Sequence, residues 1–99
     1  MSTYLLTQAA KRDLQEIHAY IAYESRQRAD SVLRRIMQAM RDLAETPWLG
    51  KKRDDLTDLN VRFYRVLRYQ IIHLPDSEPL KIIRVLDTSR DIGSILDQP

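Results

Sequence analysis

Leu80-Lys81-Ile82-Ile83-Arg84-Val85-Leu86-Asp87 is an apolar run with one arginine inside it, followed by Thr88-Ser89-Arg90-Asp91. Ile, Val and Leu at this density read as a strand, and the preceding Pro75-Asp76-Ser77-Glu78-Pro79 reads as a turn. Arg68 to Leu74, upstream of the turn, has the same character, so these two strands are predicted to pair antiparallel. A third strand, about Val61 to Val66, precedes them. A cation in the middle of such a strand implies either a paired charge or a functional surface. Alternation favours the surface: with Ile83 and Val85 turned toward a core, Ile82 and Arg84 point to the open face. Arg68 and Gln70 of the neighbouring strand join them there if Tyr69 and Ile71 point inward.

Working back from the strands, the period changes from two to that of a helix. Thr7 stands as an N-cap before Ala10, Leu14, Ile17 and Ile21, which recur at helical spacing. After the polar break Glu24-Ser25-Arg26, Ser25 caps a second helix with apolar positions Ala29, Val32, Leu33, Ile36, Met40 and Leu43. Thr46-Pro47 ends it, because proline cannot continue a helix and restricts the residue before it. Two amphipathic helices joined by so short a break are predicted to form an antiparallel hairpin. Helices first and strands last give an α+β fold, with the hairpin on one face of a small, mainly antiparallel C-terminal sheet. Tyr4 to Leu6 is a candidate edge strand, and Arg90-Asp91 a candidate ion-paired cap on a short C-terminal helix reaching Leu96.

The 99 residues are expected to make one domain, 1–99. No apolar run approaches the ~18 residues that span a bilayer, and Met1-Ser2-Thr3-Tyr4 lacks the regions of a signal peptide. The expected location is cytoplasmic, without a membrane partner. Absence of cysteine excludes disulfides, thiolate metal sites and a cysteine nucleophile. The net charge of +2 conceals a basic segment in which Lys51, Lys52, Arg53, Arg62, Arg65 and Arg68 face only Asp54, Asp55 and Asp58, a patch suited to phosphates or to a carboxylate-rich partner.

Catalytic machinery is sparse. The two glycines, Gly50 and Gly93, exclude a glycine-rich phosphate loop. His18 reads as a helix-surface residue and His73 as a strand-end residue, without metal-ligand spacing. Asp13 and Glu16, one helical turn apart, read as solvated carboxylates. Trp48 reads as an anchor of its loop over the hairpin. No metal and no cofactor are expected.

Leu6-Thr7-Gln8-Ala9-Ala10-Lys11-Arg12-Asp13-Leu14-Gln15-Glu16-Ile17-His18-Ala19-Tyr20-Ile21 resembles the first helix of the RelE/ParE superfamily of bacterial toxins. Gly50-Lys51-Lys52-Arg53-Asp54-Asp55-Leu56 resembles its post-helix segment, Arg62 its strand arginine, Arg68-Tyr69-Gln70-Ile71 its Arg-Tyr-x-Ile strand, and Ile83-Arg84-Val85-Leu86 with Arg90-Asp91 its closing signature. The resemblance, in family order over nearly the whole chain, is to a ParE-type toxin. It implies one half of a type II toxin-antitoxin pair, held inactive by an antitoxin whose apolar, acidic C-terminal segment wraps the toxin. The antitoxin's other end is expected to be a dimeric DNA-binding domain, giving a heterotetramer or larger. This chain alone is expected to bind no DNA sequence-specifically. ParE-branch members poison DNA gyrase and are not known as enzymes, whereas the RelE branch cleaves messenger RNA on the ribosome.

After the last strand the ParE-like pattern usually has His, where this chain has Asp87, and no Tyr, His or Lys follows it. Arginine stays protonated and Asp87 repels phosphate, so a pair for 2′-hydroxyl attack is hard to assemble; only Arg84, Arg68 and His73 remain for an improvised site. The expectation is therefore a non-enzymatic gyrase inhibitor with no catalytic residue. A ribosome-dependent mRNA endoribonuclease is the alternative, and a non-toxic protein-interaction module a second alternative. Candidates for contact with target or antitoxin are Arg84, Arg68, Arg62, Arg53, Arg90 and Asp87; Ile17, Ile21, Val32 and Ile36 are the antitoxin-facing apolar candidates.

Overall fold

A computed structural model describes residues 3–97. Strand β1 (Tyr4–Leu6) leads into helix α1 (Gln8–Ala22), then α2 (Arg26–Glu45), β2 (Arg62–Val66), β3 (Tyr69–Leu74), β4 (Leu80–Asp87) and the short α3 (Ile92–Leu96). The predicted α+β arrangement is present, with sheet order β1-β4-β3-β2, β1 parallel to β4 and the other pairs antiparallel.

The caps act as the sequence predicts. Thr7 Oγ1 accepts from the Ala10 N–H at 3.0 Å and donates to the Ile83 carbonyl at 2.6 Å, so one hydroxyl both starts α1 and ties it to β4. Ser25 Oγ accepts from the Arg28 N–H at 3.1 Å. His18 Nε2 and Asp30 Oδ1, 2.7 Å apart, link α1 to α2 across the hairpin. Asp91 caps α3 through the Ser94 N–H and hydroxyl rather than through a pair with Arg90.

Two apolar clusters lie on opposite faces of the sheet. The larger joins Ala10, Ile36, Met40 and Leu43 of the hairpin to Tyr69, Ile71, Ile82 and Val85. The smaller joins Phe63, Ile72 and Leu86 to Ile92 of α3, with Leu56, Ile83 and Ile95 packed around it. Ile82 thus faces the hairpin and Ile83 the other cluster, the reverse of the orientation predicted from strict alternation. The cause is a bulge: Ile72 pairs with Arg84 and His73 with Ile82, leaving Ile83 without a partner on β3. One extra residue resets the phase, so Ile82 and Val85, three apart, share a face.

Gly50 shapes the loop before β2. Its φ is +95°, and a Cβ there would lie 2.6 Å from the Phe63 carbonyl oxygen, so only glycine fits. The close approach lets Lys51 pair with Phe63 through reciprocal backbone bonds of 2.8 and 2.9 Å, extending the sheet edge by one residue.

Candidate functional site

Arg84 pairs with Ile72 and so springs from the sheet face opposite the hairpin, but its guanidinium is not free there. Its Nε and Nη2 donate to the two carboxylate oxygens of Asp13 at 2.8 Å each, and Asp13 Oδ2 also accepts the Val85 N–H at 3.0 Å. β1 pairs only with Leu80 to Ile82, so beyond that point the outer edge of β4 has no strand against it. Asp13 supplies the missing ladder acceptor there and receives the guanidinium in the same site. The carboxylate read as solvated is 5% exposed. The Asp13 hydrogen bond raises the pKa of Arg84 further, against the opposing effect of burial. The arginine that looked like a recognition residue therefore fastens α1 to the sheet.

Arg68 is separated from it. It occupies the two-residue turn between β2 and β3, and its Nε lies 2.7 Å from Asp87 Oδ2. Burial pushes the Asp87 carboxyl up, but bonds from Ser89 and Arg68 outweigh it and hold the pKa below the ordinary carboxylate value. Asp87 is thus a partner for Arg68, not an isolated negative charge. His73 is fully buried at 0% exposure rather than an accessible strand-end group. Its Nε2 is 2.9 Å from the Pro47 carbonyl oxygen, which requires an N–H there and leaves Nδ1 a buried acceptor without a partner among the described residues. Burial lowers its pKa and favours the neutral ring. Arg84, Arg68 and His73 consequently form no common site.

A groove of about 700 Å³ opens instead between the end of the hairpin and the β2–β3 turn. Tyr20, Ile21, Tyr23 and Val32 line it from the helices, Leu67 and Tyr69 from the sheet, and its charged lining is Arg28, Arg68 and Glu24. Tyr20 is 79% exposed and Tyr23 92%, an unusual display of two rings one helical turn apart. Leu67 holds φ at +58°, a conformation that costs a leucine free energy and presents its side chain at the groove. An adjoining depression of about 220 Å³ contains Arg90 and Asp87 along with Ile17, Tyr20 and Tyr69.

The groove collects Ile21, Val32 and Arg68 from the predicted candidates. Ile17 is half-buried against the core. Ile36 is 0% exposed inside the core and has no surface to offer a partner. Tyr20, Tyr23, Arg28 and Leu67 were missed; Tyr20 and Tyr23 stand at i and i+3 near the end of α1, a spacing that was readable. Arg62 and Arg53 lie elsewhere. The Arg62 guanidinium sits 5.3 Å above the Trp48 ring and donates to the Gly50 carbonyl at 3.2 Å, so half-exposed Trp48 stacks on Arg62 instead of anchoring its loop over the hairpin. Arg53 makes a forked pair with Asp55 at 2.8 and 2.9 Å.

The fold is similar to that of a solved structure described as the chromosomal ParDE TA system from P. aeruginosa. The TM-score is 0.70 at 18% identity, over 88% of this chain and 96% of that one. No curated protein matches the chain by sequence. The model of the ParE toxin of the type II toxin-antitoxin system parDE matches residues 4–92. The chain belongs to the ParE toxin family. Among the described residues, no helix is long and apolar enough to cross a membrane.

Proposed function

We propose that this chain is a toxin that acts by binding DNA gyrase and blocking replication, without a chemical step of its own, and that a cognate antitoxin neutralises it by occupying the groove beside Tyr20 and Tyr23. The groove carries this reading: it joins exposed rings and aliphatic side chains to Arg28 and Arg68, which complements an apolar segment bearing carboxylates. Family membership supports the antitoxin as the occupant. The antitoxin's dimeric DNA-binding end would make the complex a heterotetramer or larger. A non-catalytic action fits the commitment of Arg84 to Asp13 and the burial of His73, two of the three groups from which a ribonuclease site was conceivable.

Purified toxin added to gyrase and supercoiled DNA should stabilise cleavage complexes, and equimolar antitoxin should abolish the effect. Tyr23→Glu should escape the antitoxin while keeping the fold. Normal supercoiling at saturating toxin, or cleavage of messenger RNA on translating ribosomes, would overturn the gyrase reading.

A further inference from the structure

Away from the groove, the sheet face that carries α3 is not fully covered. Phe63, Ile72 and Leu86 lie beneath α3 and Leu56, but the β2 end of the same face is open. A depression of about 500 Å³ there is lined by Gly50, Lys51, Arg53, Tyr64, Arg65 and Gln70 around Phe63. It shares no lining residue with the groove.

The arrangement follows from pairing. Lys51 lies opposite Phe63, Arg65 is two residues along β2 and so on the same face, and Gln70 lies directly opposite Arg65 on β3. Diagonal neighbours of this kind stand about 7–8 Å apart, so Lys51, Arg65 and the Gln70 amide make a row of donors across the sheet. Among the described residues, neither Lys51 nor Arg65 forms an ion pair. Arg65 is oriented by its Nε donating to the Leu67 carbonyl at 2.9 Å, which leaves both Nη groups available. The Arg53–Asp55 pair at the rim is exposed, and a water-screened pair of that kind is readily exchanged for another anion.

We infer that this face, built on Lys51, Arg65 and Gln70 with Arg53 at its rim, binds the phosphate backbone of duplex DNA without reading its sequence. Charge complementarity selects an anionic partner. The depression offers no fully exposed ring on which an unstacked base could lie: Phe63 is buried, and Tyr64, which also lines it, is half-buried and packed against the hairpin core. Stacking is what single-stranded nucleic acid uses, so a backbone-only surface suits the duplex. The inference does not depend on gyrase being the target.

Fluorescence anisotropy with a labelled random-sequence DNA duplex, over a salt series, tests it. The full chain should bind, with affinity falling steeply as salt rises. The double variant Lys51→Glu, Arg65→Glu should bind roughly tenfold more weakly and lower the slope of log affinity against log salt by about two. Arg12→Glu, on an exposed position of α1, should change neither. Circular dichroism and complex formation with the antitoxin establish that the double variant is folded. Unchanged affinity in the double variant, equal loss in Arg12→Glu, absence of duplex binding at low salt, or tighter binding of single-stranded RNA would each overturn the inference. Loss of duplex binding in the double variant with gyrase inhibition intact supports this surface and leaves the gyrase reading standing; duplex binding without any effect on gyrase removes the gyrase reading alone.

Discussion

Arg84 and Arg65 both sit in strands of one sheet, yet they do opposite work. Arg84 is drawn to the hairpin side, where a buried carboxylate takes both arms of its fork. Arg65, at the far edge, meets no carboxylate and keeps its Nη groups toward solvent. The difference lies in the surroundings: where β1 stops, β4 has an uncovered edge and a helix lies close enough to fill it, whereas beside β2 only Lys51 extends the sheet. An arginine in a strand is therefore a fastener or a contact according to what the neighbouring chain supplies.

The largest effect expected from breaking this contrast is at the fastener. Arg84→Ala leaves Asp13 buried with only the Val85 N–H, and should cost about 3–5 kcal/mol. Thermal unfolding would register it as a fall of well over 10 °C, taking about 4–8 °C per kcal/mol for a chain of this size. Arg84→Lys should not restore stability, because an ammonium cannot reproduce the fork. A lysine variant as stable as the parent would show that charge alone, not geometry, holds α1 to the sheet.

His73 provides a smaller effect on the same sheet. Its folded pKa lies below its ordinary value of 6.5, so between the two the unfolded chain binds more protons. Stability from this group is complete above about pH 6.5 and falls on acidification toward the folded pKa. His73→Phe loses the bond to the Pro47 carbonyl, about 1 kcal/mol, but chemical denaturation of the variant should vary less with pH on acidification below about 6.5. Identical pH slopes for parent and variant would show that His73 titrates normally.

The smallest effect is at the contact. Arg65→Ala should change stability by no more than about 0.5 kcal/mol, although the inferred duplex affinity falls. A large destabilisation would mean that Arg65 is structural too, and the contrast with Arg84 would dissolve.

Much of this was legible in the chain. Helix periodicity, the Thr7 and Ser25 caps, the Pro75–Pro79 turn and the β1 edge strand depend on neighbours in sequence, and all appear where predicted. Placement of the candidate residues was less legible. Asp13 stands three positions after Ala10, on the buried side of α1, and Arg84 interrupts an apolar strand. Only Arg84 looked anomalous, Asp13 being read as solvated, and their partnership joins residues 71 apart. The bulge at Ile83 then undid an alternation argument that any regular strand would have satisfied. The groove was missed because its walls, α1, α2 and the Leu67-Arg68 turn, converge only after the hairpin docks.

By itself the sequence determined the elements, their order, the fold class and the family signature, since these rest on local periodicity, capping and turn chemistry. The tertiary structure alone decided which charges are spent in holding it together and which face outward. A charged side chain is neutralised by whatever comes within about 3 Å of it, and where β1 ends, where β4 bulges and how the hairpin lies across the sheet are outcomes of long-range packing.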